Sequence, residues 1–356
     1  MITYEDWRQR YVRPYEAGLY VAYNLDGDMA PKDAATVSEA SGYGLLASVL
    51  ANRRVDFDKF LIYYNEQEND QGLSCWQQAS CTFCVHFLLY SRYMSVLRDK
   101  KIFTNPDSSN NGWGSATDGD LDAAYALLLA GQSGMTHSIW KWSITAETCV
   151  TNLGDWCKDG EEADKFYWAS RPSDYMLTHF QLFSEVDTQR GQQWRSVIKA
   201  SIQVLQQQLA LHPETGLLAD FLVYNKSEKR YKPSKGKILE RDSDGDFGYN
   251  ACRVPWRLAV WYKQTHDQQI LPLLQAQQHF FEGQDLISAG YRLDGKPSET
   301  YSNICFLAPV LCLFKVMGSK KIKHIEKEIE RDRTAGRATY FGETMELIGE
   351  LQLQQL

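Results

Sequence analysis

The sequence lacks the long apolar runs, basic stripes and dense cysteines that would assign it to several protein classes. None of its apolar runs reaches the ~18 residues that a membrane-spanning helix needs. The net charge is −7 and no basic cluster is present, which argues against nucleic acid as a partner. Eight cysteines in 356 residues are too sparse for the disulfide framework of small secreted domains. We therefore expect no membrane and no nucleic-acid partner.

The amino terminus also lacks the basic and apolar segments of a secretory leader. Met1 is followed within a few residues by the charged stretch at 5–8. Either the protein stays in the cell or a leader is missing from this sequence, and the sequence does not decide between the two.

What the sequence does contain is typical of a globular protein rich in aromatic residues. Hydrophobic residues make up 44% and charged residues 23% of the chain, which is enough for a sizeable core. The 10 tryptophans and 20 tyrosines can stack on the apolar faces of sugar rings, although most of them are expected to pack in the core.

Apolar residues recur at helical spacing along almost the whole chain, whereas period-two alternation is scarce, as at 217–224. The spacing predicts helices at 39–51, 78–98, 119–132, 138–152, 173–184, 188–210, 250–264, 270–282, 302–317 and 340–353. No linker divides the chain into two compositions, and no fixed-period repeat is visible. We expect an all-α protein with a single domain over 1–356, either an α/α barrel or an irregular helical array.

Two peptides place a carboxylate at the start of an otherwise apolar helix. Glu39 lies in the segment 37–46 and Asp118 in the segment 116–130, both beside small residues that allow close approach of another molecule. Hydrolysis of a glycosidic bond needs such a set of carboxylates, one of which protonates the leaving oxygen. The alternative is ordinary helix capping, for which Ser, Thr and Asp are common.

These peptides resemble the hallmarks of glycoside hydrolase family 8. The segment 38–44 is similar to the family's acid motif Ser-Glu-Gly-x-Gly-Tyr-Gly, with Ala40 in place of a Gly. The segment 116–120 is similar to its Ala-Ser/Thr-Asp-Ala/Gly-Asp signature. The resemblance extends through 73–76, 215–221, 249–257 and 340–343, and so over essentially the whole chain.

The resemblance implies an (α/α)6 barrel that hydrolyses β-linked polysaccharides with inversion at the anomeric carbon. By motif, Glu39 is the general acid and Asp118 holds and distorts the sugar at the cleavage point. A helix N-terminus stabilises a charged carboxylate, whereas a general acid must keep its proton. We therefore expect desolvation and the neighbouring Asp118 to offset the helix.

The base position departs from the family's usual pattern. Asn250 stands where many members have the catalytic Asp, so either the protein is inactive or its base lies elsewhere. One branch of the family, which includes chitosanases, resembles this sequence in having Asn there and takes its base from a Glu in the preceding loop. Glu240 is the candidate that this resemblance implies. Three neighbouring aspartates are alternatives, namely Asp242, Asp244 and Asp246.

Further residues are candidates for holding the substrate. Trp76 and Trp168 resemble stacking platforms, Tyr249 and Arg253 flank the base position, and Asn250 itself lies between them. Core packing is the alternative for both tryptophans, and a buried ion pair with a catalytic carboxylate is the alternative for Arg253. Nearby, Asp174 is interpreted as a possible helix-cap residue.

Three motifs are set aside as imitations of other sites. Cys81 and Cys84 with His86 resemble a metal motif, but no second ligand pair follows at suitable spacing. The acidic segment 242–246 resembles a calcium loop with its glycine misplaced and its final Glu missing. The charged run 320–333 is interpreted as a solvated helix. We expect no metal and no organic cofactor.

The sequence thus predicts an inverting, endo-acting glycoside hydrolase that cleaves β-1,4-linked polysaccharide, either chitosan or a β-glucan such as cellulose or mixed-linkage glucan. A catalytically silent carbohydrate-binding protein is the rival. We expect a monomer, and the resemblance implies an extracellular location, with the cytoplasm as the alternative. The disulfide state of the cysteines stays open.

Overall fold

A computed structural model describes residues 1–23, 34–79, 114–158 and 163–356. Its helices are α1 (Tyr4–Tyr11), α2 (Ser38–Leu50), α3 (Arg54–Glu66), α4 (Thr117–Leu129), α5 (Thr136–Ser143), α6 (Ala163–Phe166), α7 (Leu177–Val186), α8 (Gly191–Leu211), α9 (Val254–Thr265), α10 (Leu271–Glu282), α11 (Ile304–Met317), α12 (Ile322–Thr334) and α13 (Tyr340–Gln355). Its strands are β1 (Val12–Tyr15), β2 (Gly18–Val21), β3 (Ala34–Val37), β4 (Gln77–Ala79), β5 (Ile144–Thr145), β6 (Val150–Thr151), β7 (Ala169–Ser170), β8 (Leu222–Asn225) and β9 (Arg230–Pro233).

Within the described ranges, six helices pack side by side in a closed ring. The neighbours around the ring are α2, α4, α7, α9, α11, α13 and then α2 again. A second helix lies on the outside of each one: α3 on α2, α5 on α4, α8 on α7, α10 on α9, α12 on α11 and α1 on α13. Six inner helices, each with an outer partner, make the (α/α)6 barrel that the sequence predicts.

The side-chain patterns explain which helices lie inside. In α11 every residue from 304 to 314 is buried, because this helix is apolar all round and has neighbours on every side. In its outer partner α12 only Ile325, Ile329 and Asp332 are buried, and the other residues are partly or fully exposed. The prediction of a solvated helix at 320–333 is therefore confirmed.

The short strands form small antiparallel sheets: β1 pairs with β2, β3 with β4 and β5 with β6, and β8 lies between β7 and β9 in a three-stranded sheet. The pair β5–β6 corrects one expectation, since a helix was predicted through 138–152. Ile144 pairs with Thr151 and Thr145 with Val150, and these β-branched residues favour the extended backbone after α5 ends. The predicted helix at 78–98 lies almost entirely outside the described residues.

The sequence pattern missed two outer helices, α1 and α3. In α3 the buried residues Phe57, Phe60 and Tyr64 stand three and four apart, which is the signal that could have found it. Across the described part of the chain, no helix combines the length and the apolar character needed to cross a membrane.

Candidate active site

The amino-terminal ends of the six inner helices meet at one end of the barrel, and the candidate residues lie there. Glu39 and Asp118 are each the second residue of their helix, α2 and α4. The turns Pro172–Asp174 and Ala251–Arg253 lead directly into α7 and α9. Asn303 precedes α11, and Tyr340 begins α13. Because each helix presents its positive end here, this end of the barrel favours negative charge.

Two glycines allow α2 and α4 to approach closely enough to bring their carboxylates together. A Cβ atom on Gly119 would lie 2.5 Å from the carbonyl carbon of Ser38 and 2.7 Å from the amide nitrogen of Glu39. A Cβ atom on Gly42 would lie 2.5 Å from the carbonyl oxygen of Gly119. Both contacts are with backbone, so any side chain at either position would force the two helices apart.

Arg253 joins the two carboxylates. Its Nη1 donates to Glu39 Oε2 at 2.8 Å and to Asp118 Oδ2 at 2.7 Å. Its Nη2 donates to Ser173 Oγ at 3.2 Å and to Asn250 Oδ1 at 3.1 Å. The arginine side chain is only 1% exposed, so these are charge-assisted hydrogen bonds in a site from which water is largely excluded.

Asp118 is held ionised by two arginines. Arg171 Nη2 lies 3.3 Å from Asp118 Oδ1, and the amide of Gly119 donates to the same oxygen at 3.0 Å. Burial alone would raise the pKa of this carboxyl, but Arg171 and Arg253 outweigh burial and hold its pKa well below the usual range. Asp118 is therefore a fixed negative charge.

Glu39 has the opposite character. Burial raises its pKa to about 7; the charge of Asp118 adds to the rise, whereas Arg253 and a hydrogen bond from the Tyr340 hydroxyl to Oε1 counteract it. The side chain remains 16% exposed. A carboxyl that keeps its proton near neutral pH and still reaches solvent can donate that proton to a substrate.

Asn250 lies on the other side of Arg253 and contacts Glu240. Its Oδ1 accepts from Arg253 Nη2 and, at 3.4 Å, from Arg171 Nη1. Guanidinium groups only donate, so the amide oxygen must face them and the amide nitrogen must face the opposite way. That Nδ2 donates to both carboxylate oxygens of Glu240, each at 3.2 Å. Glu240 is thereby the described carboxylate that the structure places against the usual base position.

The loop that carries Glu240 is organised by Asp244. Asp244 Oδ2 accepts from the amides of Ile238 at 2.9 Å, Leu239 at 2.8 Å and Glu240 at 3.1 Å, and Oδ1 accepts from Arg241 at 2.8 Å. Asp244 is only 2% exposed, whereas Glu240 is exposed. Because its own loop occupies both of its oxygens, Asp244 is a weak alternative to Glu240 as a base.

The predicted platforms lie in different surroundings. Trp76 is half-buried against the core, and its carbonyl accepts from the amide of Ser38 at 2.9 Å, which places it next to Glu39. Trp168 stacks on Tyr224 with ring centroids 5.4 Å apart, and the Lys226 ammonium lies 4.5 Å from its centroid. The Trp168 ring therefore contacts Tyr224 of β8 and the adjoining Lys226.

Tyr249 is half-buried beside the loop of Glu240. Its hydroxyl accepts from Asn303 Nδ2 at 2.8 Å, and the Arg241 guanidinium lies 5.4 Å from its ring centroid. Tyr249 thus lies at the same barrel end as the carboxylates, between the loop and the start of α11.

Sequence reasoning missed three buried residues of this site. Arg171 pairs with Asp118 and also, through Nε at 3.0 Å, with Asp174, whose carboxylate is thereby an ion-pair partner and more than a helix cap. Asp220 lies beneath Asn250, and Tyr340 contacts Glu39. All three stand next to recognisable turns or helix starts, but only their contacts with residues distant in sequence reveal a role.

Among the described residues, no group of three or more His, Cys, Asp or Glu side chains is arranged to hold a metal ion. Cys81, Cys84 and His86 lie outside the described residues. In the calcium-like segment 242–246, backbone amides of the preceding residues occupy the Asp244 carboxylate. Six cysteines in the described ranges are free thiols: Cys75, Cys149, Cys157, Cys252, Cys305 and Cys312.

Comparison with known proteins gives a consistent result. The family model described as "Glycosyl hydrolases family 8" matches residues 4–355. A β-glucanase from Niallia circulans is 30% identical over 334 residues, which cover 86% of this chain and 72% of that protein. Endoglucanase A from Acetivibrio thermocellus is 26% identical over 318 residues, 86% of this chain but only 58% of its own length.

Solved structures show the same similarity. The apo structure of a β-1,3-1,4-glucanase from Paenibacillus sp. X4 superposes with a TM-score of 0.78 at 27% identity, covering 98% of this chain and 89% of that one. A reducing-end-xylose releasing exo-oligoxylanase, at 17% identity and a TM-score of 0.68, shares the fold.

Proposed function

The chain belongs to glycosyl hydrolases family 8, as its motifs predict, and from that premise we propose that it cleaves internal β-1,4 bonds of a β-glucan with inversion at the anomeric carbon. That it is a glycoside hydrolase follows from the family, whereas the roles of individual residues and the identity of the polysaccharide are part of the proposal. The single observation that carries the proposal is the line of contacts from Glu39 through Arg253 and Asn250 to Glu240.

Glu39 is the proposed general acid. Its pKa of about 7 leaves it substantially protonated near neutral pH, and its partial exposure gives a substrate access to the proton. When Glu39 is neutral, the Tyr340 hydroxyl can rotate to accept a hydrogen bond from it, because a hydroxyl both donates and accepts. In the reaction Glu39 gives its proton to the glycosidic oxygen as the bond to the anomeric carbon breaks.

Glu240 is the proposed general base. Inverting enzymes use a second carboxylate on the opposite face of the sugar, which removes a proton from the attacking water. Glu240 is exposed, and it faces Glu39 across the Arg253–Asn250 pair. Asn250 cannot take the proton itself, but its amide orients the Glu240 carboxylate by donating to both oxygens.

Asp118 stays ionised in this mechanism and supplies negative charge where the sugar acquires positive, oxocarbenium-like character. Arg253 and Arg171 keep that charge in place. Trp76 supports the sugar ring beside Glu39, and Tyr249 and Trp168 are proposed to contact more distant rings.

Two observations bear on the substrate. The relatives described above are named β-glucanase, endoglucanase and β-1,3-1,4-glucanase, which favours glucans such as mixed-linkage glucan and cellulose. The contact of Asn250 with Glu240 matches the pattern of the branch that includes chitosanases, so chitosan is a second candidate. Chitosan carries an amine on each sugar, and the exposed Glu240 carboxylate is compatible with a cationic chain.

The test is a substrate panel of mixed-linkage glucan, carboxymethyl cellulose, xylan and chitosan, scored by product length and by the anomer first formed. We expect rapid loss of chain length, oligosaccharide products and the α-anomer on glucan. Exclusive activity on chitosan would move the assignment to the second candidate. Binding of oligosaccharides without product over long incubation would favour the silent carbohydrate-binding protein.

Three further expectations stay proposals: one domain over 1–356, a monomer, and an extracellular enzyme. Gel filtration and limited proteolysis would test the first two, and fractionation of the source cells would test the third.

A further inference from the structure

Asp220 is a buried carboxylate that belongs to none of the proposed chemical steps, yet it contacts the segment that carries Asn250. Its Oδ1 accepts from three backbone amides, those of Gly248 at 3.0 Å, Asn250 at 3.0 Å and Ala251 at 2.7 Å. It is 8% exposed. Three N–H donors converging on one oxygen fix the backbone from 248 to 251 in a single arrangement.

The glycine at 248 is what allows this contact. A Cβ atom there would lie 2.3 Å from Asp220 Oδ2, so only glycine lets the carboxylate lie directly against the backbone. The backbone at 220–221 also binds the loop of Glu240. The amide of Asp220 donates to the carbonyl oxygen of Asp246 at 2.8 Å, and the amide of Phe221 donates to the carbonyl oxygen of Asp244 at 2.9 Å. One short segment therefore holds both the Asn250 backbone and the base loop.

Asp244 completes the arrangement from the other side. Its carboxylate accepts from four amides, those of residues 238–241, and so sets the backbone at Glu240 itself. Asp220 thus fixes the partner of the proposed base, and Asp244 fixes the base. Backbone amides occupy both oxygens of Asp244 and the Oδ1 of Asp220, and both side chains are buried, so we assign neither carboxylate a contact with the sugar.

We infer that Asp220 and Asp244 are positioning residues for the general base: together they hold Asn250 and Glu240 in the geometry in which the Glu240 carboxylate faces the attacking water. This inference rests on the proposed role of Glu240 as base. Helix packing positions the proposed acid. The proposed base lies on a loop, and its position is fixed because two buried carboxylates bind the backbone amides of that loop and of the Asn250 segment.

The test compares Asp220→Ala, Asp220→Asn and Asp244→Ala with Glu240→Gln in the full chain, using mixed-linkage glucan and β-cellobiosyl fluoride. Fluoride leaves without help from an acid, so only base function limits that substrate. We expect Asp220→Ala and Asp244→Ala to lower kcat about 100-fold, the loss that a misplaced catalytic group causes, with a smaller change in KM. The fractional loss should be the same on both substrates.

Asp220→Asn supplies the conservative comparison, because its amide oxygen can still accept the three backbone N–H groups. It should recover much of the rate that Asp220→Ala loses. Asp187→Ala is the matched control: Asp187 is also buried and also accepts from a backbone amide, that of Arg190 at 3.1 Å, but it lies at the opposite end of α7. It should lower the melting temperature and leave kcat unchanged.

The outcomes are distinguishable. If Glu240→Gln is inactive while folded Asp220→Ala and Asp244→Ala keep full kcat, the inference fails and the base assignment stands. If Glu240→Gln keeps its activity, the base assignment fails, and the inference about Asp220 and Asp244 fails as well. A rate loss that disappears on the fluoride would show damage to the acid side and would overturn the inference. Should Asp220→Ala not fold, Gly248→Ala, which pushes the carboxylate aside, decides the matter by the same readout.

Discussion

The two halves of this active site are built by different means. On the acid side, Glu39 and Asp118 start two inner helices whose backbones touch at Gly42 and Gly119. On the side of the proposed base, Glu240 lies on an exposed loop and contacts the site through Asn250. Helix packing places the proposed acid, and hydrogen bonds from backbone amides to buried carboxylates place the proposed base.

The difference follows from what each group must do. A general acid needs a pKa raised by burial, and burial is easiest to maintain between packed helices; Glu39 has a pKa of about 7 for that reason. A general base in an inverting enzyme needs water beside it, so an exposed position suits it. The helices supply a fixed, partly dry surrounding, and the loop supplies access to solvent.

The largest predicted effect distinguishes Glu39 from Glu240, because only the loss of the acid should depend on the leaving group of the substrate. Glu39→Gln should lower kcat on glucan by about 10² to 10⁴-fold, the usual range for lost acid–base catalysis, and much less on β-cellobiosyl fluoride. Glu240→Gln should lower kcat by a similar factor on both substrates, because the attacking water still needs a base. Steady-state rates on the two substrates measure the contrast.

Equal losses for Glu39→Gln on both substrates would contradict its role as acid. The matched control is Glu185→Gln, an exposed glutamate on α7 whose carboxylate accepts from Gln181 of the same helix. That variant should behave as the wild type on both substrates.

The next prediction concerns the helix contact on the acid side. Gly119→Ala places a Cβ atom within 2.5 Å of backbone, so it should destabilise the fold by about 1–3 kcal/mol through overpacking. It should also lower kcat on glucan by about 100-fold, because α2 and α4 must separate and Glu39 moves relative to Asp118. Thermal unfolding and kinetics measure the two effects.

Gly131→Ala is a control for the loss of a glycine next to the same helix, since among the described residues no neighbouring atom lies within 4 Å of a Cβ added there. Gly131 has φ +73°, so that variant should lose some stability from backbone strain but keep kcat. If Gly119→Ala kept both its stability and its rate, the tight contact of α2 with α4 would not be what positions the acid.

Much of the acid side could be predicted from the sequence because its signals are local. The spacing of apolar residues found most inner helices, and the acidic helix starts found Glu39 and Asp118 without any knowledge of contacts. The hairpin at β5–β6 was wrongly included in a helix, since short β-branched runs after a helix do not interrupt helical spacing clearly.

The base side could be predicted only in part. Resemblance pointed to Glu240, and the contact with Asn250 supports it. No local pattern shows that Asp220 holds the backbone of 248–251 or that Asp244 holds the backbone of 238–241. Asp220 stands 28 residues before Gly248, and Arg171 stands 53 residues after Asp118, so these partnerships arise only when the barrel closes. Buried carboxylates bound to backbone amides leave no periodic trace in a sequence.

A smaller effect is expected for the pH dependence of the acid. As the proposed acid Glu39 must be protonated, so kcat/KM on glucan should fall as pH rises through about 7. The hydrogen bond from Tyr340 stabilises the ionised form and lowers the pKa of Glu39, so Tyr340→Phe should raise that pKa and move the alkaline limb to higher pH. pH–rate profiles of both proteins measure the shift.

Tyr231→Phe is the matched control, because the Tyr231 hydroxyl bonds to Thr148 at 2.9 Å and does not contact Glu39. Its alkaline limb should coincide with that of the wild type. A limb that moves to lower pH in Tyr340→Phe would mean that the tyrosine favours the protonated form, contrary to the geometry.

The smallest effects are expected for the two tryptophans, Trp76 and Trp168, whose surroundings differ. Trp76→Ala should raise KM for glucan by up to about tenfold, the value of one aromatic stacking contact, because Trp76 adjoins Glu39. Trp168→Ala should raise KM less, since Tyr224 and Lys226 already lie against the Trp168 ring and leave less of it for a sugar. Initial rates on oligosaccharides of increasing length locate each contribution: the Trp76 effect should appear with the shortest substrates that are cleaved, and the Trp168 effect only with longer ones. A larger change in KM for Trp168→Ala than for Trp76→Ala would contradict this order and assign the stronger sugar contact to Trp168.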